Sequence, residues 1–315
     1  MTAMRYRRLG DCGLMVSAVG LGCNNFGRKL DAAETAAVVH AALDVGVTLF
    51  DTADIYGDPR GTSEMFVGDA LKGVRDDVVV ATKFGMDMGT TDWDARGARR
   101  YIMRAVEDSL RRLQTDHIDL YQYHAPDGVT PVEETLRALD DLVRQGKVRY
   151  IGSSKFTGWQ VIDADWTART HGLPRFVSTQ EHYNWLHRGP EKELLPACEH
   201  AGVGLLPFFP LESGLLTGVY RRNQAPPPGT RLAGDRYKGW LGRADWDTLE
   251  ALEAFAADSG VTLLDIAIGG LAAQSPVASV IAGATTPDQV RANVRAGQWS
   301  PSPEQLARLR EITQK

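Results

Sequence analysis

Cysteine is scarce in this chain: Cys12, Cys23 and Cys198 among 315 residues. An odd number with no C-x-x-C spacing argues against a disulfide framework and against a cysteine-based zinc site. Reduced thiols in a cytoplasm are the simpler expectation. Long apolar runs are missing as well, and none approaches the roughly 20 residues of a membrane span. The first eight residues, Met1 to Arg8, carry positive charge but no apolar stretch follows, so they do not read as a signal peptide. Excess positive charge is also lacking. Lys and Arg total 35 against 40 Asp and Glu, a net charge of −5, which disfavours a nucleic-acid binder.

Several sequence signatures are absent too. Gly20-x-Gly22 is followed next by Gly27, so G-x-G-x-x-G is not met, and no phosphate loop of the form G-x-x-x-x-G-K-[ST] occurs. His182 and His187 do not form H-E-x-x-H, and no metal is expected. Ser213-Gly214 lacks the G-x-S-x-G of a nucleophile elbow.

What the sequence does contain is an alternation. Hydrophobic residues make up 43% and charged residues 24%, a balance that supports a packed core rather than a disordered chain. Eight short apolar runs read as buried strands: 18–22, 47–51, 78–83, 118–123, 148–152, 176–180, 203–207 and 278–282. Helical patterns lie between them, most clearly over 33–45, 99–113 and 131–146. Gly46, Gly146 and Gly202 each stop a helix just before a valine-led strand.

Eight such βα units predict one (β/α)8 barrel domain over residues 1–315, with an N-terminal hairpin and extra helices near 246–258 and 303–312. An open doubly wound sheet is the alternative. A long loop after the seventh strand, around 221–243, carries Arg221, Arg222, Arg231, Arg236, Lys238 and Arg243. It reads equally as a functional lid or a solvated surface.

In a barrel the active face is built at the C-terminal strand ends. There the second strand delivers Asp51, with Tyr56 five residues on, the third Lys83, and the fourth is followed by His124. An ammonium beside a phenol lowers the phenol's pKa, and a carboxylate holds the ammonium in place. Tyr56 is then a candidate proton donor to a carbonyl oxygen, tuned by Lys83, which Asp51 positions. His124 would bond the same oxygen. Each residue alone has an ordinary structural reading, an ion pair, a packed aromatic or a strand cap; their joint position on one rim carries the case. Asn25, Phe26, Phe84 and Trp93 are candidate substrate contacts in or near the early loops, whereas Trp185 and Trp240 read mainly as packing.

The chain resembles the aldo-keto reductase family. The resemblance rests on Phe50-Asp-Thr-Ala-Asp-Ile-Tyr-Gly57, Ala81-Thr-Lys83, Tyr121-Gln-Tyr-His-Ala-Pro-Asp127 and Gly146-Lys-Val-Arg-Tyr-Ile-Gly-Ser-Ser154. It continues through Gln180-x-x-Tyr-Asn184, Pro210-Leu-x-x-Gly-Leu-Leu-Thr-Gly218 and Ile281-x-Gly-Ala with Gln289-x-x-x-Asn293.

The resemblance implies a barrel that binds NADPH, with NADH possible, and moves a hydride reversibly between the nicotinamide and the carbonyl carbon of a small aldehyde or ketone. By similarity Asp51, Tyr56, Lys83 and His124 are the catalytic set. Gly22, Ser153, Ser154, Gln180, Phe208, Pro210, Leu211, Ser213, Gly214, Gly283, Thr285, Gln289 and Asn293 would hold the cofactor. Three departures stand out. Lys155 follows Ser154 where the family motif continues Ser-Asn. Phe209 replaces a small polar residue. Ala284-Thr-Thr286 stands where many members place a Lys or Arg for the 2′-phosphate, a role left to Arg231 or Arg291. A nucleotide-sensing subunit and a lyase using Lys83 as a Schiff-base amine are the competing functions. Nothing in the sequence sets the oligomeric state.

Overall fold

The protein is described by a computed structural model over residues 4–89, 95–234, 237 and 239–314. Two short strands, β1 (Tyr6–Arg8) and β2 (Met15–Ser17), pair antiparallel as a hairpin. Eight parallel strands follow: β3 (Val19–Gly22), β4 (Leu49–Asp51), β5 (Val79–Phe84), β6 (Ile118–Tyr123), β7 (Val148–Ser154), β8 (Phe176–His182), β9 (Gly204–Phe208) and β10 (Val280–Gly283). From β3 to β9 each pairs with the next, and β10 pairs with β3. Closure between β9 and β10 is made just ahead of β10, where Leu205 N–H donates to Pro276 O and Ala278 N–H to Leu205 O. The expected (β/α)8 barrel is therefore present. Its strands are apolar on both faces because one face lines the barrel interior and the other meets the helices.

The hairpin plugs the barrel floor. Leu9 and Val16 pack with Leu49, Val79, Ala81, Leu120, Leu206 and Ile281. Gly10 permits that contact: its φ is +60°, and a Cβ there would sit 2.5 Å from Gly202 O.

The helices outside the strands are α1 (Ala32–Asp44), α2 (Thr62–Ala70), α3 (Arg99–Leu113), α4 (Val132–Arg144), α5 (Gly158–His171) and α6 (Leu194–Ala201). They continue with α7 (Trp246–Ser259), α8 (Leu263–Asp265), α9 (Pro287–Ala296) and α10 (Pro303–Ile312). Capping boxes Asp31/Glu34, Thr157/Gln160 and Ser302/Gln305 start α1, α5 and α10. Gly46, Gly146 and Gly202 take positive φ, as their place at the helix stops demands. After α8 the chain widens into a π turn, Ile266–Gly270, where Trp185 Nε1 donates to Ile266 O at 2.8 Å. No helix among the described residues is long and apolar enough to cross a membrane.

The long loop after β9 has a core of its own. Leu215, Leu216, Tyr220 and Leu232 pack on Leu249, Leu252, Phe255 and Ile266. The Tyr220 hydroxyl accepts from Leu232 N–H at 3.1 Å. Its basic residues divide into two kinds. Arg221 pairs with Glu253, and Arg222 with Asp247 and Glu250 of α7, so both belong to the outer surface. Arg231 instead faces inward, as described below. Arg236 and Lys238 lie outside the described residues.

Candidate active site

Parallel register places the strand ends at one rim: Gly22 opposite Asp51, Asp51 opposite Ala81, Lys83 opposite Gln122 and Ser154 opposite Gln180. A cavity of about 630 Å³ opens there. Asp51, Tyr56, Lys83 and His124 all line it.

Lys83 is 1% exposed, and its ammonium donates to Asp51 Oδ2 at 2.6 Å and to Thr52 O at 2.9 Å. Burial pulls the Lys83 pKa down, but the charge of Asp51 and the Tyr56 hydroxyl more than offset it, and the net direction is upward. A lysine held protonated in this way is a poor amine nucleophile, which weighs against Schiff-base chemistry.

The other carboxylate oxygen of Asp51 is also engaged. Oδ1 accepts from Gln180 Nε2 at 2.5 Å and from Gln122 Nε2 at 3.1 Å, and Gln180 Nε2 also reaches Gln122 Oε1 at 2.9 Å. Gln122 was not singled out from sequence. Its signal was a polar residue near the C-terminal end of a strand, two positions before His124.

Tyr56 sits on a loop whose shape needs Gly57, with φ +100° and a would-be Cβ only 2.8 Å from Thr62 Cβ. The Tyr56 carbonyl accepts from Gly61 and Ser63 N–H at 3.0 and 3.2 Å, tying the loop to the start of α2. The Lys83 ammonium lies 5.0 Å from the Tyr56 ring centroid. It acts on the phenol in the expected direction, downward, yet burial outweighs it and the net shift is upward. The expectation of a lowered phenol pKa is thus corrected: desolvation of a phenolate at this depth exceeds the stabilisation by one ammonium whose charge Asp51 already balances.

His124 packs edge-on against Tyr56, with ring centroids 5.9 Å apart. Burial, with Lys83 and then Lys155 adding repulsion, pulls its pKa down to about 2. The imidazole is neutral, and its buried Nδ1 has no hydrogen-bond partner.

A sequence profile of the Aldo/keto reductase family matches residues 18–314. The chain belongs to the aldo/keto reductase family. Members are oxidoreductases that generally use NAD(P)H and act on small carbonyl compounds. The chain is 37% identical to an uncharacterized oxidoreductase, YrpG, of Bacillus subtilis (strain 168), over 98% of this chain and 96% of that protein. It is 35% identical to a probable voltage-gated potassium channel subunit beta of Oryza sativa subsp. japonica, over 99% and 97%. It is 32% identical to the L-glyceraldehyde 3-phosphate reductase of Escherichia coli (strain K12), over 93% and 87%.

In this aldo/keto reductase the cavity is lined further from β7 to β9 and the loop after them, and from β3, β10 and α9. The first group is Ser154, Gln180 and Phe208, continued by Pro210, Leu211, Ser213 and Gly214. The second is Gly22, Gly283, Thr285, Gln289 and Asn293. Gln289 Oε1 is oriented by Thr285 N–H at 2.7 Å. Arg231 lines the cavity too, stacked 5.7 Å from the Phe209 ring centroid and donating to the Tyr237 hydroxyl at 3.0 Å. It has no carboxylate partner among the described residues. Arg291 points away and pairs with Asp288 at 3.0 Å.

Not every candidate lies in the cavity. Ser153 is fully buried, donating to Thr179 Oγ1 at 3.0 Å. Asn25 lines the cavity, but Phe26 and Phe84 do not. Both are fully buried, and Phe84 stacks on Tyr123 with centroids 5.1 Å apart. Their aromatic side chains turn to the barrel–helix layer because burying that area there is worth more than lining a wet pocket. Trp93 lies outside the described residues. Sequence reading passed over Lys29 and Asn24, which line the cavity with no motif to mark them.

Proposed function

We propose that the chain is a cytoplasmic, single-domain NADPH-dependent carbonyl reductase that converts a small aldehyde or ketone to its alcohol, reversibly. The observation that carries this is the grouping of Tyr56, Lys83, Asp51 and His124 at one end of the cavity. The cavity residues suit a dinucleotide. Arg231 lines the cavity and carries a charge without a carboxylate partner among the described residues.

Ser154 and Gln180 would hold the carboxamide of the cofactor and Phe208 the nicotinamide face. The segment Pro210 to Gly214 would flank the pyrophosphate. Gly283, Thr285, Gln289 and Asn293 would take the adenosine end, with Arg231 at the 2′-phosphate. When bound, the nicotinamide supplies the hydride for the carbonyl carbon.

The chain's own residues manage the oxygen. His124, neutral, donates a hydrogen bond that orients the carbonyl. Tyr56, kept protonated by burial, gives its proton to the oxygen as negative charge develops there. Lys83 stabilises the phenolate left behind, and Asp51, braced by Gln122 and Gln180, keeps Lys83 charged and aimed.

The test is nicotinamide oxidation with aromatic and aliphatic aldehydes, a ketone and an aldose. Tyr56→Phe should cut turnover by about a hundredfold or more while NADPH still binds. Tight NADPH binding by the native chain with no turnover of any carbonyl would refute the enzyme reading and favour a nucleotide-sensing subunit of a larger assembly; the rice relative is named as a probable channel subunit.

A further inference from the structure

Lys155 is one of three places where this chain departs from the family pattern, and the structure gives it an unusual setting. It follows β7 with φ +58°, a region that glycine and asparagine enter readily and lysine does not. Six non-glycine residues among those described have positive φ. Lys155, Phe209 and Ser213 line the cavity, and Glu212 lies between the last two. Strain gathered at a cavity points to a role there. The Lys155 N–H donates to Gln180 O at 2.9 Å, which anchors the backbone while the side chain stays exposed.

The charge around Lys155 is unbalanced. Lys29, Lys83, Lys155 and Arg231 line the cavity against one carboxylate, Asp51, which Lys83 already occupies. Of the nearby acids, Glu181 acts on Lys155 through its charge without forming an ion pair and accepts from His182 N–H at 2.8 Å, and Glu212 accepts from Asn184 Nδ2 and pairs with His182, both at 2.7 Å. Lys155 makes no ion pair among the described residues. The chain as a whole carries a net charge of −5, so a positive cavity is a local feature and one that attracts anions. Arg231, in the long loop, and Lys29 act on each other. Lys155 acts on His124, at the reacting end.

We propose that Lys155 is a specificity-determining residue that selects carbonyl substrates bearing a carboxylate or phosphate group. The proposal rests on the reductase reading above. An anion paired with Lys155 would share one cavity with the carbonyl oxygen held by His124 and Tyr56, since all three residues line it.

Matched aldehydes test this at saturating NADPH: para-carboxybenzaldehyde against para-tolualdehyde, and glyceraldehyde 3-phosphate against glyceraldehyde. The native chain should favour the anionic member of at least one pair by about tenfold to a hundredfold in kcat/KM, mostly through KM. The pair that shows the preference tells carboxylate from phosphate. Lys155→Asn, which suits the backbone conformation, should bring the ratio close to one. Lys155→Arg should keep it, and added salt should shrink it.

Equal use of both members by the native chain would overturn the proposal. So would a ratio unchanged in Lys155→Asn, above all with weakened NADPH binding by fluorescence titration, which would give Lys155 to the cofactor. If no aldehyde is turned over in a Tyr56-dependent way, the reductase reading itself fails.

Discussion

Replacing Asp51 by Asn separates the charge of this residue from its shape. The carboxylate receives Lys83 on one oxygen and Gln122 and Gln180 on the other. An asparagine can keep its oxygen toward Lys83 and turn its amide to the glutamines. Those amides can flip to accept, so every hydrogen bond has a replacement. What is lost is the negative charge opposite an ammonium that is 1% exposed.

Breaking one side of a buried ion pair costs about 3–5 kcal/mol. For 315 residues, the usual unfolding entropy turns that into a fall of roughly 5–8 °C in Tm. The loss should also depend on pH. In the native chain Lys83 sits above its ordinary range, so its stabilising share holds below the unfolded lysine value of about 10.4 and is lost only as pH rises through the folded one. Without Asp51, burial is the dominant influence and pulls Lys83 below that range. The unfolded chain then binds the extra proton, and the variant's deficit narrows as pH rises toward about 10. Urea denaturation of both proteins at neutral and alkaline pH measures this. A deficit that does not change with pH, or a Tm drop below about 1 °C, would refute the view that Asp51 works by charge.

The remaining predictions concern turnover and cofactor choice. Because burial holds Tyr56 protonated and holds His124 at about 2, kcat/KM for a neutral aldehyde should show no His124-dependent break between about pH 5 and 9. A break near the ordinary histidine value that vanishes in His124→Gln would contradict this. Arg231→Ala should weaken NADPH binding by about tenfold and leave NADH nearly unchanged. Arg291→Ala, on the outer face of α9 with Asp288, should alter neither. Equal losses for the two cofactors, read by fluorescence titration, would remove Arg231 from the 2′-phosphate.

Much of this protein is written locally in its sequence. Strand runs bounded by glycine stops set the eight βα units, since burial on both strand faces and left-handed helix stops depend on neighbouring residues alone. Asp51, Lys83 and His124 were legible because a parallel barrel brings every strand end to one rim, so position along a strand already gives position in space. Tertiary structure decided what depends on distant partners and on depth. Gln122 and Gln180 brace Asp51 from 71 and 129 residues away. Phe26 and Phe84 turn into the core because the helix layer has room for their area. Arg221 and Arg222 spend their charge on α7, while Arg231, in the same basic loop, faces the cavity. The balance at Tyr56 likewise could not be read from composition: a lysine alone lowers a phenol, and only the depth of the site determines that desolvation outweighs it.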